Sequence, residues 1–259
     1  MQQILALTPN CLAAVQGFQA ALAYVAYRIG DDGKLWAAFL PPEVQGGFMM
    51  LEDPGTAPIP RPEIPARQIV QECLRRRFRG VIADFEAQPS RDRAALLRLL
   101  GQQLPADRQI FVPEAFGDIL PRSTVLISTA ISGGSLRQRL DDAIKRWGVR
   151  RVALDGARLQ MDFTLPSPSG EGRSLSTEEF CRLQQGRTVF FSPELCARYF
   201  TYYGGEQAHF VLFDDADTLR RKEQLGASLG LNKILYMLPE IEDLSEKLFT
   251  KKQKPYPRV

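Results

Sequence analysis

Short apolar runs rich in Val, Ile and Phe alternate along the chain with segments in which apolar residues recur every three or four positions. The short runs predict β-strands, and the periodic segments predict amphipathic helices. The strand candidates are Leu22–Tyr27, Phe48–Leu51, Val81–Phe85, Gln109–Val112, Thr124–Ile127, Arg151–Leu154, Ala208–Phe213 and Lys233–Leu238, with Ile4–Leu7 and the weaker Val189–Phe191 in addition.

The helical segments carry recognisable faces and boundaries. Apolar residues spaced by three and four positions run from Leu136 to Trp147, and a similar stripe runs from Leu97 to Leu104. The sequence Ser192-Pro193-Glu194 predicts a helix start, because it supplies an N-cap residue, a proline at the first helical position and an acidic first turn. Gly230 predicts the end of the helix that precedes it.

About eight strands that alternate with helices over 259 residues predict an α/β fold, a single, compact (β/α)8 TIM-type barrel. A doubly wound open sheet is the alternative, but no GxGxxG or P-loop motif follows the early strands. Two long loops, Pro54–Pro65 and Thr164–Thr177, are expected after the second or third strand and after the sixth. The barrel is assigned to residues 1–245 and a basic C-terminal tail to residues 246–259.

Composition restricts the class of protein. With 44% apolar and 24% charged residues the chain is an ordinary globular one, and its net charge is only +3. Its basic clusters carry no interleaved aromatic residues, so no nucleic-acid partner is expected. No apolar run is long enough to cross a membrane, and the N-terminus lacks a secretory signal. We therefore expect a cytoplasmic protein, with release to the cell wall or a spore as the alternative; the oligomeric state is left open.

The chemistry available to this chain is narrow. Its four cysteines show no CxxC spacing and it has a single histidine, His209, which argues against a metal site, a disulfide framework or a His-based triad. No metal and no organic cofactor are predicted. If the protein is an enzyme, carboxylates are therefore the expected acid and base.

Acidic residues recur where the apolar strand runs end. In a barrel these strand ends meet at one mouth, which is where acid–base chemistry is expected, although Asp also caps helices in ordinary turns. For Asp155 and Asp215 the capping role is the favoured interpretation. The carboxylates concerned are Glu52, Asp53, Asp84, Glu86, Glu114, Asp155, Asp214 and Asp215.

The tripeptide Asp84-Phe85-Glu86 is a more specific signal. Alternation along a strand places Asp84 and Glu86 on one side and Phe85 on the other. Two neighbouring carboxylates repel each other, so one of the two pKa values is expected to rise. A proton-donating acid beside an ionised carboxylate is the arrangement that glycosidic bond cleavage requires.

The segment from Phe78 to Glu86, FRGVIADFE, resembles the signature strand of glycoside hydrolase family 18, the chitinase-like barrels, which reads roughly F-D-G-x-D-x-D-x-E. Asp84 and Glu86 match the last two acidic positions, whereas Arg79 and Ile82 stand at the first two. The family places this strand fourth. Ile4–Leu7 is then the first strand, and either Gln109–Val112 or Thr124–Ile127 is extra or no barrel strand.

Two further segments resemble the same family. The stretch from Phe213 to Lys222 is similar to an F-D-D-x-x-S-x-x-x-K pattern that precedes the last strand, and Tyr236 on that strand takes the place of a tryptophan at the cleft floor. Leu159–Phe163 resembles an M-x-Y-D segment, with Asp162 kept and Met161 in place of the tyrosine.

The resemblance implies cleavage of β-linked N-acetylhexosamine glycans, such as peptidoglycan or chitin-like chains, by a substrate-assisted retaining mechanism. Glu86 would be the general acid, and Asp84 would orient the substrate's acetamido group. An oligosaccharide or polysaccharide is thus the expected partner. The residues assigned to substrate binding are Asp162, Met161, Tyr236, Glu114, Asp214 and Asp53.

Two other interpretations stay open. Because Ile82 and Met161 replace polar family residues, the chain is alternatively a carbohydrate-binding barrel with weak or no turnover. A scaffold or interaction barrel, in which the Asp84-Phe85-Glu86 pattern is coincidental, is the third possibility.

Overall fold

Eight parallel strands close into a barrel in the computed structural model, which describes residues 1–55, 57–166 and 170–250. The strands in chain order are β1 (Gln2–Leu7), β2 (Ala21–Ile29), β3 (Leu35–Ala37), β4 (Phe48–Asp53), β5 (Gly80–Phe85), β6 (Gln109–Pro113), β7 (Thr124–Ser128), β8 (Val152–Asp155), β9 (Gln160–Leu165), β10 (Arg173–Ser174), β11 (Phe190–Ser192), β12 (Ala197–Gly204), β13 (Gln207–Phe213) and β14 (Lys233–Met237).

The barrel consists of β1, β2, β4, β5, β6, β7, β8 and β14, and it is closed because β1 pairs in parallel with both β2 and β14. This confirms the predicted (β/α)8 TIM-type barrel. The strand that carries Asp84 is the fourth, with Ile4–Leu7 in the first. Strand β3 lies outside the barrel, where it forms an antiparallel hairpin with β2.

The helices pack against the outside of the barrel through the faces that the sequence predicted. Leu136, Leu140, Ala143 and Trp147 are all buried, as is the stripe at Leu97 and Leu100. The helices are α1 (Glu63–Arg75), α2 (Arg91–Gln103), α3 (Leu136–Trp147), α4 (Thr177–Gln184), α5 (Ala216–Ser228), α6 (Leu238–Ile241) and α7 (Ser245–Leu248).

A small apolar cluster fills the barrel interior. Successive side chains on a strand point to opposite faces, so each strand contributes alternate residues to this cluster and the others to the layer under the helices. Where the inward-facing side chains at the carboxyl ends of the strands are polar, they therefore lie directly above an apolar floor. Buried members of the cluster are Ile4, Ala6, Ala23, Val25, Phe48, Met50, Ile82, Phe111, Ala153 and Leu235.

A five-stranded antiparallel sheet is inserted between β8 and β14, the seventh and eighth barrel strands. Its order is β10-β9-β13-β12-β11. The candidate Ala208–Phe213 lies in this sheet, as β13. Gln109–Val112 and Thr124–Ile127 are both genuine barrel strands, so the expectation that one of them is extra was wrong. The local pattern identified the strands but not the sheet that each one joins.

The segment after Ser192 is a turn rather than the predicted helix. Phe190 pairs with Tyr199 in an antiparallel hairpin of β11 and β12, and the turn between them includes Cys196 at φ 52°. The loop Pro54–Pro65 follows the third barrel strand. The described part of Thr164–Thr177 lies in the inserted sheet, after the seventh barrel strand rather than the sixth.

Packing continues past residue 245, where the sequence placed the start of the basic tail. Leu248 and Phe249 are buried, and the Phe249 ring stacks on Phe18 with centroids 5.4 Å apart. Residues 251–259, with most of the predicted basic charges, lie outside the described residues. None of the helices in the described ranges has the length and apolar character to cross a bilayer.

Candidate active site

A cavity of about 320 Å³ opens at the carboxyl ends of the barrel strands. Its floor is apolar and includes Met50, Ile82 and Leu235. Carboxylates from four different parts of the chain line the same cavity: Asp84, Glu114, Asp155 and Glu240. The barrel mouth is thus a concave, acidic site on an apolar base, which is where TIM-barrel enzymes hold their catalytic groups.

Asp84 occupies the inward position above Ile82 on β5, and its side chain is only partly exposed. Burial, together with the nearby charges of Glu52, Glu86 and Glu240, raises the pKa of this carboxyl to about 6, and burial is the larger cause. The sequence predicted a raised pKa from Glu86 alone. In the structure, desolvation is the larger cause of the raised pKa. An ionised Asp84 carboxylate above the apolar floor loses bound water and, within the described part of the chain, no cation that lines the cavity compensates its charge.

Asp155 is the site residue that the sequence interpretation missed, since it was assigned to helix capping. It ends β8 in the inward row above Ala153 and lines the same cavity as Asp84. Burial raises its pKa to about 7, with Glu240 and Asp84 adding to the shift. The signal was present in the sequence, because alternation places Asp155 on the same side of its strand as Ala153, but only the closed barrel shows that this side is the cavity.

Glu86 lies one residue beyond β5 and is exposed at the rim. Its backbone N–H donates to the Asp53 carbonyl at 3.1 Å, which fixes the chain as it leaves the barrel. Its charge acts on Asp84 directly, as the pKa of that residue shows. Asp84 and Glu86 are therefore brought together at the mouth, one inside the cavity and one at its edge.

Glu114 lines the cavity wall at the end of β6, and it forms an ion pair with Arg139 of α3. This position agrees with the expectation that Glu114 reaches the cleft. The ion pair neutralises its charge, so Glu114 is better suited to shaping the wall than to exchanging a proton.

Asp53 does not belong to the cavity, although the sequence assigned it to substrate binding. It is buried on the outward side of β4, where Arg93 donates to both carboxylate oxygens at 2.7 and 3.1 Å. The Gly55 backbone N–H donates to it as well, at 2.9 Å. Asp53 thus holds α2 and the loop after β4 in place.

Asp214 is likewise a structural residue. Its Oδ2 atom lies 2.6 Å from Lys222 Nζ, and it accepts hydrogen bonds from the Leu159 backbone N–H and the Thr218 hydroxyl. All of these contacts join the inserted sheet to α5. The similarity between Phe213–Lys222 and the family pattern therefore does not bring Asp214 into the barrel cavity.

Tyr236 faces away from the cleft. It is fully buried on the outward side of β14, and its hydroxyl donates to Glu223 at 2.8 Å. Gly156, next to Asp155, is required here, because a Cβ at that position would come within 2.4 Å of the Tyr236 ring. Met237, the next residue, lines the cavity in its place.

Asp162 and Met161 lie on β9 of the inserted sheet. Asp162 is buried and accepts a hydrogen bond from the Tyr202 hydroxyl at 2.8 Å, while His209 Nδ1 lies 3.0 Å from it. These contacts satisfy Asp162 inside the sheet, so it does not reach the barrel cavity. The similarity of Leu159–Phe163 to the M-x-Y-D segment therefore does not place a substrate-binding residue in the cavity.

Met161 instead lines a second, larger groove of about 690 Å³, between the inserted sheet and the segment after β14. Glu240 lines both this groove and the barrel cavity, so the two spaces adjoin. Glu240 therefore lies at the boundary between the two spaces.

Comparison with solved structures identifies the fold. The chain is similar to the spore cortex-lytic enzyme SleL of Bacillus megaterium (18% identity, 98% of this chain and 75% of that chain covered, TM-score 0.62). It is similar to a chitinase from Chromobacterium violaceum (18% identity, 93% and 95% covered, TM-score 0.65). It is also similar to a family 18 chitinase from Cycas revoluta, solved with allosamidin (10% identity, 96% and 98% covered, TM-score 0.65).

The chain has the same barrel fold as these three enzymes. The resemblance to glycoside hydrolase family 18 is thus confirmed for the fold. No family model matches the sequence, and no curated protein does. At 10–18% identity, the likeness to these structures covers 93–98% of this chain and establishes the fold alone.

Proposed function

We propose that this chain is a glycoside hydrolase that cleaves β-linked N-acetylhexosamine glycans such as chitin-like or peptidoglycan chains. The observation that carries the proposal is the position of Asp84 and Glu86 at the mouth of a chitinase-like barrel, with Asp84 in the cavity and its pKa raised. A fold alone does not determine function, so the proposal depends on these two carboxylates.

The proposed reaction uses the substrate's acetamido group as the nucleophile. Glu86 donates its proton to the glycosidic oxygen while the acetamido carbonyl oxygen attacks the anomeric carbon, so the bond to the leaving sugar breaks as the ring to the acetamido oxygen forms. Asp84 accepts a hydrogen bond from the acetamido N–H and stabilises the positive charge that develops there. Water then attacks the anomeric carbon, the bond from that carbon to the acetamido oxygen breaks, and the ionised Glu86 takes up a proton from the water.

The adjoining groove supports a polymeric substrate. A sugar bound at Asp84 occupies the barrel cavity, and the chain continues past Glu240 into the groove of about 690 Å³ lined by Met161. A cleft of this size has room for neighbouring sugar units, which fits an oligosaccharide better than a monosaccharide.

The test is hydrolysis of N-acetylglucosamine oligomers and purified peptidoglycan by the wild type, Glu86→Gln and Asp84→Asn. Glu178→Gln is the matched control, because Glu178 is exposed on α4 of the inserted sheet region. We expect loss of a general acid to reduce kcat by about 10²–10⁴-fold, while the control retains wild-type rates. Equal rates in wild type and Glu86→Gln would refute Glu86 as the acid.

A carbohydrate-binding barrel with weak turnover is the second candidate. It is favoured by Ile82, which puts an apolar side chain directly below Asp84 where the family pattern has an acidic residue. Saturable binding of the same oligomers by wild type and Glu86→Gln, without cleavage by either, would support this candidate over the enzyme.

A further inference from the structure

Asp84 and Asp155 occupy equivalent places on different strands of the barrel. Each is the inward residue directly above the apolar interior, with Ile82 below Asp84 and Ala153 below Asp155. Their strands, β5 and β8, are separated in the barrel by β6 and β7, and both residues line the one cavity of about 320 Å³. The two carboxyl groups therefore share an enclosed space without belonging to one sequence motif.

The surroundings of this pair supply negative charge and little compensation. Glu52 at the end of β4, Glu86 after β5 and Glu240 after β14 all raise the pKa of Asp84, and Glu240 raises that of Asp155 as well. Among the described residues that line the cavity there is no Lys or Arg. Glu114 on the cavity wall is paired with Arg139, which does not itself line the cavity.

Ionising both aspartates in this space is unfavourable, because two like charges would face each other above an apolar floor. We propose that Asp155 is the proton-sharing partner of Asp84: near neutral pH the pair holds one proton, which stays on Asp155 while Asp84 carries the charge. Asp155 thus supplies the second carboxyl group from the seventh barrel strand. The fourth strand cannot supply it, because Ile82 stands at the position next below Asp84.

The electrostatics of the two groups agree with this order of ionisation. Burial is the first cause that raises both pKa values, to about 6 for Asp84 and about 7 for Asp155. The charge of Asp84 is then one of the causes that hold the proton on Asp155. Because the groups titrate as a pair, these values describe two successive steps.

The consequence for catalysis rests on the proposed function. An ionised Asp84 is the form that accepts the acetamido N–H and stabilises positive charge, and a neutral Asp155 avoids a second charge in the cavity. Asp155 acts through Asp84 and is therefore a positioning residue. Losing its proton at higher pH would add a second negative charge beside the reacting group.

The decisive test is titration of the aspartate carboxyl carbons by NMR in the full-length protein labelled with ¹³C-aspartate. In the wild type we expect the carboxyl carbons of Asp84 and Asp155 to report two coupled titration steps. In Asp84→Asn and in Asp155→Asn, the one aspartate of the pair that remains should titrate in a single step. In Asp84→Asn, the midpoint of Asp155 should fall by about half a pH unit or more, since the charge that held its proton is gone. Asp107→Asn is the control, because Asp107 is exposed before the amino end of β6. An Asp155 midpoint that is the same in Asp84→Asn, Asp107→Asn and wild type would overturn the proposal.

A second measurement separates this proposal from the function. If the protein hydrolyses oligomers, the alkaline limb of the kcat profile should move to higher pH in Asp155→Asn, because asparagine has no proton to lose; KM should change little. An unmoved limb would contradict the assigned role. If Asp84 and Asp155 titrate as a coupled pair but no sample hydrolyses the oligomers, the hydrolase is rejected and the proton-sharing pair is retained. If the protein hydrolyses oligomers but the two aspartates titrate independently, the hydrolase is retained and the pair is rejected.

Discussion

The Nζ atom of Lys222 lies 2.6 Å from Oδ2 of Asp214, and both side chains are almost completely buried. Removing one partner of such a pair leaves an uncompensated buried charge. We expect Asp214→Ala to lower the free energy of unfolding by about 3–5 kcal/mol, as measured by urea denaturation. Asp217→Ala, which removes the exposed ion pairs of Asp217 with Arg198 and Arg221, should lower the free energy of unfolding by less than about 1 kcal/mol. A stable Asp214→Ala protein with weakened glycan binding would return Asp214 to the substrate site.

Tyr236 provides a test of a residue that the sequence placed in the cleft. Because its hydroxyl donates to Glu223 behind the barrel wall, Tyr236→Phe should lower the free energy of unfolding by about 1 kcal/mol and leave kcat and KM unchanged. Thermal or urea unfolding and oligomer hydrolysis are measured on the same samples. A change in KM at unaltered stability would show that the hydroxyl reaches substrate after all.

Asp84 also predicts a pH dependence of stability. Its folded pKa, about 6, lies above the ordinary value of 3.8 for an aspartate, so the native state binds more protons than the unfolded state between these values. The contribution of Asp84 to stability is therefore lost as the pH rises from about 4 through about 6. Asp84→Asn, which cannot ionise, should match the wild type near pH 4.

Above pH 7 the same variant should be more stable than the wild type, by on the order of 1–2 kcal/mol after allowing for partial exposure of Asp84. Urea denaturation at both pH values measures the difference. The exposed-site variant Asp107→Asn should show no such divergence. A constant gap between Asp84→Asn and wild type across this range would mean that Asp84 is not buried as the structure has it.

Trp36 is the clearest candidate for a sugar contact outside the cavity. It lies on β3, 55% exposed, with its indole N–H directed at Asp32 and the Arg28 guanidinium 6.0 Å from its ring centroid. A hollow of about 310 Å³ contains both Trp36 and Glu52, and Glu52 in turn acts on Asp84. The ring is therefore held open beside the barrel mouth, where its face can stack on a sugar.

We expect Trp36→Ala to raise KM about 3- to 10-fold for long oligomers, with a smaller effect on the shortest ones and little change in kcat. Tyr203→Ala is the comparison, since Tyr203 is an aromatic residue 81% exposed on the inserted sheet. Steady-state kinetics over a series of oligomer lengths measures both variants. Equal KM values in Trp36→Ala and wild type at every length would exclude the contact.

Local pattern determined much of this protein. Apolar residues recur every second position along a strand that is buried on one side, and every third or fourth position along a helix that is buried on one side. This spacing can be recognised within the segment itself. The strand candidates, the apolar face from Leu136 to Trp147 and the position of Asp84 above an inward apolar residue could all be derived without a partner element.

Only the tertiary structure decided which strand joins which sheet and which carboxylates face each other. Asp53, Asp155 and Asp214 all follow apolar runs, yet Asp53 and Asp214 are satisfied by Arg93 and Lys222 behind the barrel, whereas Asp155 opens into the cavity. The sequence could not distinguish them, because the partners of Asp53 and Asp214 lie 40 and 8 positions away, and Asp84 is separated from Asp155 by the two strands β6 and β7. Whether a carboxylate is neutralised or left beside another is fixed by barrel closure and register, and these depend on contacts between distant segments.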